Sequence, residues 1–513
     1  MRTVRELIAR AVARRPEAVY AMAVDGSSDA TLHGGSAATL RYRALLAGCR
    51  QVARGLDAHG VKRGAVVSLV MPNGLATLQL LLGVMWAGRC ANPVNLLSQP
   101  EQMRYVLEHS DCVLVFVAPE WAERVRAMVA GLGRRVAVVE VAPDAVPAFD
   151  DAPSTADPPV PGPDDTALLM YTSGTTGVPK GVVLTQANLA SNALAISAEH
   201  ALGARDRVLA VLPLYHINAF AVTMLAPLAE GGSLAMPPRF SAARFWDQAR
   251  DAECTWLNVV PTMISYLLEG SAPPREQTAR LRFCRSASAA LPPEHLRGFE
   301  ARFGVGVVET MGLTETVAPS FSNPADPAQR KLGSVGRASG GEACVIDRAG
   351  QPVPDGTTGE LAIRGPHVMR GYYKNDEATR AAFTADGWLR TGDLGHRDRD
   401  GFFFVTGRLK ELIIKGGENI APREIDEALL KHPAVLDAAV VGIPDKHYGQ
   451  EILACIVRRN GVACDEAMLR DFCVEALGRY KTPKVFRFVD ELPRGPSGKV
   501  QRLKLVDVAG AAR

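Results

Sequence analysis

From Tyr171 to Gly181 the chain reads Tyr171-Thr172-Ser173-Gly174-Thr175-Thr176-Gly177-Val178-Pro179-Lys180-Gly181, with three glycines, four aliphatic hydroxyls and a lysine in one short segment. Glycines let backbone N–H groups converge on an anion with no Cβ in the way. The hydroxyls add donors and Lys180 adds a mobile positive charge, so the segment suits a polyphosphate. It is not a Walker A loop, because Pro179 precedes Lys180 and Gly181 follows it where a Ser or Thr would stand. The duller reading is a surface turn of small polar residues.

Four more segments carry groups able to do chemistry. Thr310-Met311-Gly312-Leu313-Thr314-Glu315 sets a hydroxyl beside a carboxylate. Leu389-Arg390-Thr391-Gly392-Asp393-Leu394 presents an aspartate after a glycine turn. Gly407-Arg408-Leu409-Lys410-Glu411 sits where the texture of the chain changes. Leu492-Pro493-Arg494-Gly495-Pro496-Ser497-Gly498-Lys499 presents a lysine on a Gly/Pro/Ser loop. Each has an ordinary explanation by itself. Asp393 could cap a turn, Thr314-Glu315 could begin a helix, Arg408 could be a surface ion-pair partner, and Lys499 could be a solvated lysine.

The elements that must position these groups follow from periodicity. Tyr42 to His59 has amphipathic helical spacing, ending at Gly60. Ala65 to Met71 and Cys112 to Val117 read as buried strands, with a helix from Thr77 to Trp86 between them. This order predicts a parallel sheet flanked by helices. Residues 142–165, rich in Pro and Asp, predict an irregular connection before the strand Ala167 to Met170. A second alternating unit runs to about residue 320, with strands Val208 to Leu212 and Trp256 to Val260 and a helix near Ala219 to Leu228. From Gly333, short strands between Gly, Pro and Asp turns predict a small β-barrel or sandwich. Beyond Lys410 a compact α+β tail is expected: helices Arg423 to Lys431 and Glu466 to Leu477, strands Ala438 to Ile443 and Glu451 to Arg458.

The bulk properties exclude several classes. The chain has 513 residues, enough for two to four units at about 150 residues each. Its formal net charge of +3 is too small for its length to argue for nucleic acid or an anionic membrane. No apolar run reaches the ~18 residues of a spanning helix, and Met1 to Ile8 has no signal-peptide core. The nine cysteines are scattered and form no C-x-x-C pair, which predicts reduced thiols and a cytoplasmic setting.

Taken together, the five segments resemble the acyl- and aryl-CoA synthetases, within the larger group of AMP-forming adenylating enzymes. The match spans about residues 20 to 505, in the family's order and spacing. The resemblance implies an α/β fold with two αβ subdomains and a β-barrel over residues 1–409, then a small mobile α+β domain over 410–513. It implies a two-step reaction. A carboxylate attacks the α-phosphate of ATP to give acyl-adenylate and pyrophosphate, and the thiol of CoA then displaces AMP. The implied co-substrates are ATP and CoA, with Mg2+ as metal.

By the same resemblance, Thr172, Ser173, Gly174, Thr175, Thr176, Gly177 and Lys180 hold the β- and γ-phosphates. Thr314 contacts phosphate and Glu315 is the magnesium ligand. Asp393 and Arg408 take the ribose hydroxyls. Lys499 bridges the carboxylate and the α-phosphate. Lys410 is the hinge, and Gly416 and Gly417 line the thiol's path. Met311 stands where the family has an aromatic over adenine, and Ala287 departs from a more glycine-rich stretch. Pro213 to Asn218 matches a segment lining the acyl site, which places His216 near the carboxylate; Phe220, Met224, Val260 and Met263 could form an apolar wall there, or fill the core, as some of them must. No aspartate lies between Pro213 and Ala226 to take an α-ammonium group. The expected acid is therefore a simple one: medium-chain fatty, enoyl or small aryl. An enzyme that loads a carrier protein's phosphopantetheine shares every motif, and a homodimer is a further expectation.

Overall fold

The computed structural model describes residues 2–24, 38–144, 157–172, 178–459, 461–494 and 500–510. Ser173, Gly174, Thr175, Thr176, Gly177 and Lys499, all assigned roles above, lie outside the described residues.

Two large sheets carry the first three-quarters of the chain. The first has seven strands in the order Gly371–Tyr372, Lys180–Thr185, Thr166–Thr172, Cys90–Pro93, Val66–Val70, Leu114–Val117, Ala137–Glu140. Its last five strands are parallel, as continuous β-branched runs such as Val66–Val70 require when both faces are covered. The second has nine strands, and its central parallel part runs Val307–Met311, Phe283–Ser286, Trp256–Val259, Arg207–Ala210, Ser233–Met236. Helix Leu75–Trp86 is buried at all twelve positions. A helix apolar on every side has no face to give to water, and it shares one hydrophobic cluster with strands of both sheets.

The region after Gly333 forms a four-stranded antiparallel sheet in the order Glu342–Ile346, Gly359–Arg364, Leu389–Arg397, Phe403–Arg408. A bridge between Gly336 and Phe403 ties it to the strands at the edge of the second large sheet. The C-terminal part is a separate five-stranded sheet, built on the long antiparallel pair Val435–Asp445 and Gly449–Arg458, with its own core around Ile425, Val440, Ile452 and Phe486. Helices Pro422–Leu429 and Glu466–Lys481 belong to this unit. Gly478, at φ +77°, breaks the second helix one residue past the expected stop at Leu477.

One local expectation changes. The helix expected near Ala219 to Leu228 is a π-helix over Asn218–Leu225 that continues as an α-helix over Ala226–Glu230. Gly416 and Gly417 turn the hairpin Ile413–Lys415 to Glu418–Ile420, at φ +56° and +86°, as a two-residue hairpin turn with both central residues left-handed requires. All nine cysteines are free. No helix among the described residues is long and apolar enough to cross a membrane.

Candidate active site

The hairpin Thr166–Thr172 to Lys180–Thr185 sets Thr172 opposite Lys180. The short strand Gly371–Tyr372 adds to the outer edge of this hairpin, with Tyr372 opposite Val182. A strand neighbour two residues along shares the same face, so the Tyr372 ring comes beside Lys180. The Lys180 ammonium lies 4.1 Å from the ring centroid, within cation–π range. The Tyr372 hydroxyl in turn donates to Glu315 Oε1 at 2.8 Å.

Glu315 sits in a single 3-10 turn, Thr314–Thr316, two residues beyond the end of strand Val307–Met311. The Leu313 N–H donates to Thr316 Oγ1 at the mouth of this turn. The Met369 N–H donates to the Glu315 carbonyl at 2.7 Å. The Glu315 backbone is thus pinned by the segment that leads to Tyr372, while its carboxylate takes the Tyr372 hydroxyl. Burial, and then the Glu315 charge, hold the Tyr372 hydroxyl protonated well above the usual phenol range, so it remains a donor.

Asp393 and Arg408 are direct cross-strand partners on the four-stranded sheet. Arg408 Nε donates to Asp393 Oδ1 at 2.7 Å, and Asp393 is buried. The glycine turn expected before Asp393 is instead an irregularity within strand Leu389–Arg397, where Gly392 has a φ of +72°, and it is held from below: Glu360 accepts from Arg390 Nη1 and from the Gly392 N–H, each at 2.9 Å. Burial disfavours the Arg408 cation, but Asp393, Glu411 and Glu315 outweigh it and raise its pKa above the ordinary arginine value. Arg408 therefore feels both Asp393 and Glu315. Residues 78 positions apart in the chain share one electrostatic field.

Met311 ends its strand half-exposed and packs against the cluster of Phe321, Val335 and Phe403. His216 is half-buried beside Tyr215, just before the π-helix. Lys410 lies in a 3-10 turn, Leu409–Glu411, between the two last sheets. Arg502 reaches back to Glu411 at 3.1 Å and also pairs with Asp426. Arg494 and Val500 form an antiparallel bridge. Phe220 and Met224, expected in an acyl wall, are fully buried in the main core, whereas Met263 is partly exposed at its margin.

Sequence reasoning passed over Tyr372 and Arg285. Tyr372 gave no signal, since a Gly-Tyr-Tyr run is common in loops. Arg285 gave one: a charged residue inside Phe283-Cys284-Arg285-Ser286, a strand buried at all four positions.

The profile of the AMP-binding enzyme family matches residues 8–373, and that of the AMP-binding enzyme C-terminal domain matches residues 424–499. The chain belongs to the AMP-binding enzyme family. This AMP-binding enzyme is 56% identical over 512 residues to the sulfoacetate–CoA ligase of Cupriavidus necator, with 99% of this chain and 98% of that protein covered. It is 37% identical to the oxalate–CoA ligase of Arabidopsis thaliana, with 88% and 90% covered. Its fold is similar to that of ATP-bound MatB from Rhodopseudomonas palustris, at TM-score 0.89, 31% identity and 99% coverage of both chains. The AMP-binding enzyme is an acid–thiol ligase, with ATP and CoA as co-substrates.

Proposed function

We propose that this ligase activates a short carboxylic acid bearing a second anionic group, by adenylation followed by transfer to CoA. The observations that carry the reaction are the buried Asp393–Arg408 pair and the link from Glu315 through Tyr372 to Lys180. The relatives named for sulfoacetate and oxalate support the choice of acid, since each of those acids carries a second anion. The burial of Phe220 and Met224 in the core supports it too, because neither is left to form a long apolar channel.

In the first step a carboxylate oxygen bonds to the α-phosphorus of ATP, and the bond to the pyrophosphate oxygen breaks. In the second, the thiolate sulfur of CoA bonds to the acyl carbon and AMP leaves with the carboxylate oxygen. The thiol proton goes to solvent or to His216. The barrier to the first step is repulsion between two anions, and fixed donors and cations lower it. Lys180 places charge at the phosphates and Asp393 accepts from the ribose hydroxyls. Lys499 would neutralise the approaching carboxylate. Among the described residues no cluster of three metal-ligating side chains exists. One carboxylate with phosphate oxygens and water suits Mg2+, which keeps most of its hydration. Glu315 fits that role, and Mg2+ bound there would offset triphosphate charge. Lys410 would be the pivot between residues 1–409 and 410–513.

Pyrophosphate release, measured over a panel of acids with and without CoA, tests this reading. Sulfoacetate or oxalate should outperform octanoate and benzoate, and CoA should accelerate turnover. Pyrophosphate release from none of the acids would refute the adenylation, and preference for octanoate would refute the choice of acid.

A further inference from the structure

Resting on this ligase reading, we propose that Arg285, framed by Asn218 and Asn258, is the receptor for the second anion of the acid. Arg285 is wholly buried on strand Phe283–Ser286. Its Nη1 donates to Asn218 Oδ1 at 2.7 Å and to Asn258 Oδ1 at 2.8 Å. Among the described residues its Nε and Nη2 have no hydrogen-bond partner. Among the described residues no carboxylate pairs with it, and burial alone bears on its titration, lowering it to about 9. The group is therefore still a cation at neutral pH.

A buried cation with no counter-ion is expensive, and each unmade hydrogen bond adds to the cost. The two unpartnered atoms are not a random pair. Nε and Nη2 form one edge of the guanidinium, the fork that takes two oxygens of a carboxylate or a sulfonate side by side. The two asparagines occupy the opposite end through neutral amide oxygens. They fix the plane of the fork and leave the charge uncancelled.

The location fits a substrate group. In parallel α/β sheets, ligands bind beyond the carboxyl ends of the strands. Asn258 and Arg285 are register partners on adjacent parallel strands, one residue from those ends. Asn218 opens the π-helix two residues after His216, and π-turns are frequent at functional sites. Asn218 Nδ2 also donates to Ser288 Oγ at 3.2 Å. The guanidinium thus sits against Asn218, the last residue of the segment that resembles the acyl-site lining, 213–218. Water does not reach Nε or Nη2, so entry of an anion requires the adjoining turn to give way. Ser288, in that turn, holds a left-handed φ of +74°, a conformation costly for a serine.

The test compares sulfoacetate with (methylsulfonyl)acetate, in which a methyl group replaces one sulfonate oxygen and removes its charge. Acid-dependent pyrophosphate release is measured for the wild type and for R285M, and ATP-induced thermal stabilisation reports that the nucleotide site is intact. Losing one partner of a buried, hydrogen-bonded charge pair typically costs about 10²–10³-fold. The wild type should therefore favour sulfoacetate by about that factor. R285M should bring the ratio near one while still responding to ATP. Should R285M fail to fold, R285Q is used, and its ratio should fall by at least tenfold. Three results overturn the proposal: equal use of both acids by the wild type, an unchanged ratio in the folded variant, or pyrophosphate release from octanoate or benzoate but not from sulfoacetate or oxalate. If no acid releases pyrophosphate, it is the ligase reading itself that falls.

Discussion

Tyr372→Phe removes one oxygen atom and leaves the ring in place. In the structure that oxygen has one visible task, the 2.8 Å hydrogen bond to Glu315 Oε1. The ring has another, the 4.1 Å contact with the Lys180 ammonium. A hydrogen bond to a charged acceptor contributes about 1.5–3 kcal/mol. Tyr372 is only half-buried, so solvent screening brings the value to about 1–2 kcal/mol, around and below the low end of that range. At 1.36 kcal/mol per tenfold this predicts a loss of roughly 5- to 30-fold in acid-dependent pyrophosphate release. The loss should fall on kcat and kcat/KM for ATP together, as for a contact that matters in the transition state. Tyr372→Leu removes the ring as well and should cost about 0.5–2 kcal/mol more. If Tyr372 acts by holding Glu315, the double variant Y372F/E315Q should be no slower than E315Q alone. The reasoning fails if Y372F turns over within twofold of the wild type, or if the two substitutions multiply.

Three other outcomes follow from the site and its surroundings. Lys499→Ala should abolish pyrophosphate release yet spare thioester formation from preformed acyl-adenylate; equal loss of both halves would contradict a role for Lys499 confined to adenylation. Lys410→Pro, which fixes φ within the Leu409–Glu411 turn, should do the reverse, and unchanged overall turnover would remove Lys410 as the pivot. Glu309 is buried on the strand Val307–Met311, and burial raises its carboxyl from 4.5 to about 7, against the pull of Arg423 and the Leu291 N–H. Its native form holds a proton that the unfolded chain releases near 4.5. Its contribution is therefore complete below that pH and is lost as pH rises through 7. Glu309→Gln should flatten a decline in stability on the order of 3 kcal/mol over that window, read as Tm against pH; parallel curves for variant and wild type would count against it.

The order of elements was legible in the sequence because it follows from local pattern. Val66–Val70 is a β-branched run, and Tyr42–Ala58 is an amphipathic helix within one residue of its expected end. The Gly416-Gly417 pair announces a turn, and Gly392 before Asp393 a break in the strand's regularity, since few other residues adopt their φ of +56°, +86° and +72°. What each turn joins was less legible. Gly416-Gly417 connects two strands, because pairing of Ile413–Lys415 with Gly449 makes a strand there, and that partner lies more than thirty residues away.

Spacing along a chain says nothing about angle or distance across three sheets. Only tertiary structure set Tyr372 between Lys180 and Glu315, through a two-residue strand that lies alongside Val182 and Val183. It alone moved Phe220 and Met224 from a supposed acyl wall into the core. It also left one edge of a buried arginine without partners. The sequence determined which charges, hydroxyls and glycines the protein owns and the order in which they come. The fold decided which of them share a dielectric environment, because Coulomb energy and hydrogen bonding depend on separation and burial, and neither is a property of sequence distance.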